Sequence, residues 1–311
     1  MTPLRDGAPS SSQDVMRTHG RSFHFASHFL GDRHAGRAAR LYAFCRYLDD
    51  TVDLAESKSE AERILDHIAR ELAGQVPATA ATRDFLALMD EVGLAPSMPA
   101  GLISGLRSDL GVVAVKTEAE LIRYAYHVAG IVGLMMCDVV DVEAPEARPF
   151  AIDLGIAMQL TNIARDVDED ARRGHRYLPE AWVGPVTPQQ IVDPDPEMKH
   201  ILRQASRRLL DRAEIYYRSA DRGLGHLPAR ARFAILVAGR VYRQIGVSIA
   251  RQDHAPWQGR ARVSRPEKLQ VAAGAALSFL GRPHLHARDA VHDRTLHEAL
   301  AGLPGTHPAG P

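Results

Sequence analysis

Two short acidic runs, far apart in the chain, hold the residue types that could do chemistry. The first, LYAFCRYLDDTVD, spans Leu41 to Asp53 and sets Asp49, Asp50 and Asp53 directly behind an apolar, aromatic-rich stretch. The second, NIARDVDED, supplies Asn162, Asp166 and Asp170 at steps of four residues, with Asp168 and Glu169 on other faces of the same turn. Side chains four apart share one face of an α-helix, about 6 Å along the axis. Asp49 with Asp53, and Asn162 with Asp166 and Asp170, therefore predict two polar stripes. Like charges at that spacing repel. Either run alone reads as a solvated surface face. Together, each next to an apolar run (LYAFC, LGIAMQL) and each with an arginine, they predict stripes that border a cavity between helices. Carboxylates placed there need a positive partner. Mg²⁺ suits them, being a hard ion usually held by one or two carboxylates plus substrate phosphates, so a diphosphate is the expected ligand. Arg46, one turn before Asp49, and Arg165, beside Asp166, are placed to grip phosphate oxygens in fork geometry. Tyr42, seven residues before Asp49, and Tyr126, four before Gly130, are candidates for the apolar pocket wall.

The elements that must position these residues read as helices. ARLYAFCRYLDD places Leu41, Phe44, Cys45 and Leu48 at helical spacing, and SEAERILDHIARELAGQ repeats the pattern behind a Ser59 cap with Glu62 three residues on. EAELIRYAYHVAGIVGLMMCDVV predicts a long, deeply buried helix, whose Gly130 and Gly133 permit close approach of another helix or a ligand. PFAIDLGIAMQLTNIARDVDEDARRG predicts another, ended by Gly174, and two more follow beyond DPDPEMKH. The fold class is all-α. Residues 1–13 are expected to be disordered, 14–280 to form one domain, and the His-, Pro- and Gly-rich tail 281–311 to be peripheral or flexible.

Composition narrows the function. Lys plus Arg equals Asp plus Glu at 38 each, which gives no charge signal for nucleic acid. Cys45 and Cys137 offer no disulfide framework and no metal spacing, and fit a reduced cytoplasmic setting. The longest apolar stretches look too short to span a bilayer. HILRQASRRLLDR sets apolar positions against arginines, a pattern common to interfacial helices and plain bundle helices. Peripheral attachment at the inner membrane face stays open.

The two runs, with GRSFHFASHFL, YAYHVAGIVGLMM, TNIARDV, YLP and LPARARFAILVAGRVYRQIG, resemble the squalene/phytoene synthase family from about Met16 to Leu280. The resemblance implies a class I isoprenoid synthase bundle with a central cavity. It implies head-to-head condensation of two prenyl diphosphates with Mg²⁺ or Mn²⁺, through a cyclopropyl diphosphate. Carried over, Asp49, Asp53, Asn162, Asp166 and Asp170 would be metal ligands. Arg21, Ser22, Arg46, Arg165 and Arg262 would contact diphosphate, Tyr42, Tyr126 and Tyr242 would steady cationic intermediates, and Gln159 would point into the site. Gly20 stands where many relatives have Ser. Small Ser27 and Ala39, the latter fourteen residues before Asp53, would leave a tunnel floor open for long tails, with Gly130 and Gly133 on its wall. That favours two geranylgeranyl diphosphates (C20), giving phytoene for carotenoid synthesis, with no NADPH. Relatives acting on C15 substrates, and more distantly a non-catalytic scaffold, are the rival readings. Association with a downstream desaturase is left open.

Overall fold

The computed structural model describes residues 11–306 of the 311-residue chain. The chain runs through helices α1 (Ser12–His19), α2 (Arg21–Ser27), α3 (Asp32–Asp53), α4 (Lys58–Leu72), α5 (Ala80–Val92), α6 (Ser97–Ser108) and α7 (Glu118–Ala125). After a π-helical turn, Tyr126–Gly130, come α8 (Ile131–Val139), α9 (Ala147–Arg172), α10 (Glu180–Val183) and α11 (Pro188–Val192). The last three are α12 (Pro196–Gly223), α13 (Ala229–Arg251) and α14 (Arg265–Gly281). Among the described residues there is no strand, only an isolated bridge between Ala114 and Arg176. The expected disordered segment lies mostly outside the described residues, but Ser12 and Gln13 already belong to α1, capped by Ser11.

α9 is the axis of the bundle. Its buried residues, among them Phe150, Ile156, Leu160, Ile163 and Val167, point in several directions, because α8, α12 and α13 pack around it. α12 shows one apolar stripe, Leu202, Ala205, Leu209, Ala213, Tyr216 and Ala220, at the spacing of a single helical face. That stripe is buried against the bundle, so the arginine-flanked segment HILRQASRRLLDR is a plain core helix. α13 is long and apolar enough to cross a membrane by length and composition, contrary to expectation. It too is built into the bundle, through Ala234, Val237, Val241 and Ile245. The α4 cap is Ser57, whose side chain accepts from Glu60 N–H, two residues before the expected Ser59.

The predicted long helix over 118–139 forms, with the π turn in its middle. Here α9 comes very close: a Cβ on Gly155 would lie 2.3 Å from the Ala129 carbonyl oxygen, and one on Gly133 2.2 Å from that of Ala151. Only glycine fits such a backbone-to-backbone contact. Gly130 faces Ile152 and the Tyr126 ring. Gly174, at φ +84°, takes the left-handed turn that stops the chain just past α9.

The tail is not peripheral. Leu285, His297 and Leu300 are fully enclosed, and Tyr126 donates its hydroxyl to the Pro304 carbonyl at 2.7 Å. The anchor is Asp153 of α9, which meets the Nε2 of His292 at 2.9 Å and of His297 at 2.8 Å. Burial alone would raise the Asp153 pKa, but these two partners hold it below its ordinary value, so it stays ionised and the imidazoles donate. The expectation of a peripheral tail fails here because a buried carboxylate holds two of its histidines.

A group whose pKa is depressed by folding contributes stability above its unfolded value and loses it as pH falls through the folded one. Asp153→Asn is therefore expected to destabilise the protein at neutral pH by about 3 kcal/mol. The gap to wild type should close below about pH 4, as read by thermal melts across pH.

Candidate active site

A cavity of about 750 Å³ opens between α2, α3, α8, α9 and α13. Its walls are mainly apolar, including Ala26, Leu30, Ala38, Val132, Leu154 and Ala238. Its polar end is formed by Arg21, Asp49, Gln159, Asn162, Arg165 and Arg262. Ser22, Ser27, Tyr42, Arg46, Gly133 and Tyr242 also line it. The Phe23 ring lies between two tyrosines, with centroids 5.9 Å from Tyr42 and 5.1 Å from Tyr242. A Cβ on Gly20 would meet the Tyr42 ring at 2.7 Å, so this ring fills the space that a serine there would need.

Six expected residues do not line the cavity: Asp53, Asp166 and Asp170 stand beyond its polar end, and three others are placed elsewhere. Tyr126 sits in the π turn, and its hydroxyl fastens the tail rather than facing the cavity. Gly130 packs against Ile152 on α9. Ala39 is fully buried outside the cavity lining, and its neighbour Ala38 takes the expected place. The phase explains this: Ala38 lies eleven residues before Asp49, about three full turns. Ala39 is in near phase with Asp53, but Asp53 does not line the cavity; from Asp49, which does, Ala39 is ten residues away and about 80° off the face.

The two acidic stripes do meet. Arg173, just past α9, reaches Asp53 at the end of α3 at 3.4 Å and Glu169 at 3.3 Å. Arg165 binds Asp166 at 2.8 Å, and Arg260 reaches Asp166 at 3.0 Å and Glu169 at 3.3 Å. Arg46 pairs with Asp50. Asp53 and Asp166 are thus neutralised by arginine. Asp49 and Asp170, one on each helix, accept no side-chain hydrogen bond among the described residues.

Their electrostatics follow. Asp49 is open to the cavity yet enclosed by protein, and desolvation, reinforced by Asp53, Asp50 and Asp109 against the pull of Arg46, pushes its carboxyl up to about 7. Desolvation, then Asp166, Glu169 and Asp109 against Arg173, pushes Asp170 up to about 8. Asp109, at the end of α6, is felt by both and is itself raised to about 6, mainly by burial. The hydroxyls of Tyr124 and Tyr177 donate to it at 2.9 and 3.0 Å. Sequence reasoning missed Asp109, an isolated acid in no motif. It also missed Arg173, although this lies within the quoted PFAIDLGIAMQLTNIARDVDEDARRG, and Arg260, which lies in no quoted run.

The arrangement fits a hard divalent cation. Its donors are all oxygens, Asp49 and Asp170 make no direct ion pair among the described residues although Arg46 and Arg173 lie near them, and the Asn162 side-chain oxygen is buried with no partner. Both raised carboxyls bind protons more tightly in the folded chain than in the unfolded one, so metal-free stability should fall as pH rises from about 4 to about 8. Asp170→Asn should flatten that fall and raise the metal-free melting temperature by a few degrees. The same variant should lose most of the thermal shift that Mg²⁺ with diphosphate gives wild type.

Comparison with known proteins agrees with this geometry. The family model for squalene/phytoene synthase matches residues 16–267. The 15-cis-phytoene synthase of Enterobacter agglomerans is 35% identical over 276 residues, covering 84% of this chain and 92% of the relative. The phytoene synthase of Rhodobacter capsulatus is 34% identical over 306 residues, covering 92% and 90%. A solved dehydrosqualene synthase superposes with a TM-score of 0.75 at 26% identity, covering 86% of this chain and 95% of its own. The fold is that of the class I isoprenoid synthases. The chain belongs to the squalene/phytoene synthase family.

Proposed function

We propose that this protein is a phytoene synthase, joining two geranylgeranyl diphosphates head to head to give 15-cis-phytoene and two diphosphates. One observation carries the reading: carboxylate, amide and guanidinium groups gather at one end of an otherwise apolar cavity, beside two carboxylates that have no direct ion pair among the described residues. The phytoene synthases among the relatives support the same product.

Asp49, Asp53, Asn162, Asp166 and Asp170 would hold Mg²⁺ or Mn²⁺, which when bound neutralises a diphosphate and makes it a good leaving group. Arg21, Arg46, Arg165 and Arg262, with the Ser22 hydroxyl, would grip phosphate oxygens. Arg46 and Arg165 would exchange Asp50 and Asp166 for them. Loss of the first diphosphate leaves an allylic cation, which the faces of Tyr42, Phe23 and Tyr242 stabilise. The apolar walls keep water from it. The double bond of the second substrate attacks, and a proton is lost to form the cyclopropyl diphosphate. A second ionisation, rearrangement and proton loss complete the hydrocarbon. The released diphosphate, held by the arginines, is the base within reach. The sequence of steps consumes no reductant.

Ser27 and Ala38 are the small residues that suit C20 tails. Ala38→Phe is expected to cut turnover of geranylgeranyl diphosphate about tenfold or more, by filling apolar space, while sparing farnesyl diphosphate. With Mg²⁺ and without NADPH, purified protein should convert geranylgeranyl diphosphate to a C40 triene. A C30 product from farnesyl diphosphate, with nothing from the C20 substrate, would overturn the assignment.

A further inference from the structure

The last helix, α14, has an outer face that the condensation does not use. From Leu269 to Gly281 it contains no charged residue and only two polar ones, Gln270 and Ser278. Ala275 and Phe279 turn inward, the latter against the Phe233 ring at 5.4 Å. Leu269, Leu277 and Leu280 turn outward, 63%, 74% and 83% exposed, with exposed Ala273 between them. Steps of four, four and three residues align these on one face over about 16 Å. A single exposed leucine needs no explanation, but three in a row form a patch of the kind that meets a partner.

Both ends of the stripe are basic. Arg265 and Lys268 stand at its start, and Arg282 at its finish. Arg282 and Ser278 also border a second hollow, with Arg218, Arg222, Arg240, Arg243 and His284. Arg218, Arg240 and Arg243 are paired with Glu214 and Asp221, and Arg251 with Glu267, which leaves Arg222, Arg265, Lys268 and Arg282 without an acidic partner among the described residues. The face as a whole is therefore apolar with a positive rim. The start of α14 adjoins the cavity, since Lys268, and Arg260, Arg262 and Val263 just before the helix, line it.

We infer that α14 docks on an anionic lipid bilayer. Leu269, Leu277 and Leu280 enter the boundary between headgroups and acyl chains, and the basic rim rests on lipid phosphates. The cavity mouth then faces the layer that dissolves prenyl tails and a C40 hydrocarbon. This deepens the reading above and rests on it for the purpose of docking, while the surface itself rests on the exposed stripe.

The test uses the full chain in flotation with vesicles of phosphatidylcholine plus phosphatidylglycerol, and of phosphatidylcholine alone. Wild type should float with the mixed vesicles and weakly or not at all with the neutral ones. Leu277→Glu/Leu280→Glu should reduce flotation roughly tenfold or more, with unchanged condensation of detergent-dispersed substrate. Wild type left in the aqueous fraction, or a variant that floats equally well, overturns the inference. So does light scattering that shows a wild-type dimer split by the variant with flotation unaltered, because the face would then bind a second copy. Absent condensation by wild type in detergent would instead sink the assigned reaction and leave the flotation result standing.

Discussion

Negative charge held at two helix ends governs this structure. Asp49, Asp50 and Asp53 lie in the last turns of α3, and Asp166, Asp168, Glu169 and Asp170 in the last turns of α9. Helix C-termini already carry unsatisfied carbonyls and the negative end of the macrodipole, so these are the least favourable places for carboxylates. The chain answers with arginines, but only in part. Arg46, Arg165, Arg173 and Arg260 pair with Asp50, Asp166, Asp53 and Glu169, and leave Asp49 and Asp170 without a direct ion pair among the described residues. A mouth with every acid paired would be more stable and would have no claim on a cation. Partial neutralisation keeps the two helix ends together while preserving a demand for external positive charge.

Much of the remaining architecture resists that repulsion. α9 is fixed along its length: by the glycine contacts with α8 and the π turn, by the apolar stripe of α12, and by the tail clasped on Asp153. Asp109 would add to the strain, yet its carboxylate is tied to Tyr124 on α7 and to Tyr177 in the loop beyond α9. One acid thus joins three parts of the chain at the rim of the site. The same close helix contacts serve the cavity, since Gly133 both admits α9 and lines the cavity wall.

The helices and the two stripes were legible because both rest on short-range periodicity. A four-residue spacing has one geometric meaning on a helix, and the arginines beside the acids shared it. Failures began where long-range placement decides. Tyr126 has the right residue type and the right neighbours, but a π turn shifts the phase of the helix and turns the ring toward Pro304. Ala39 was one residue out because its phase was counted from Asp53, which does not line the cavity, and not from Asp49, which does. Asp109 carries no local pattern, and its importance comes from two tyrosines 15 and 68 positions away. The tail looked loose because its composition is that of a linker, while its anchor is a lone aspartate 139 and 144 residues upstream.

α12 and α14 show the same limit for surfaces. Periodic contrast between faces is what a sequence displays, and α12 displays it strongly: leucines on one side, arginines on the other. That contrast is what burial of one face in a bundle requires, and α12 is buried accordingly. α14 lacks contrast because apolar residues occur all round it. A helix of that kind belongs in a core, unless one side faces a medium that is not water. It lies at the surface against α13, with three leucines outward and basic residues at both ends. Amphipathicity alone would therefore choose the wrong helix for a lipid contact, since what marks the surface is apolar area left over after packing.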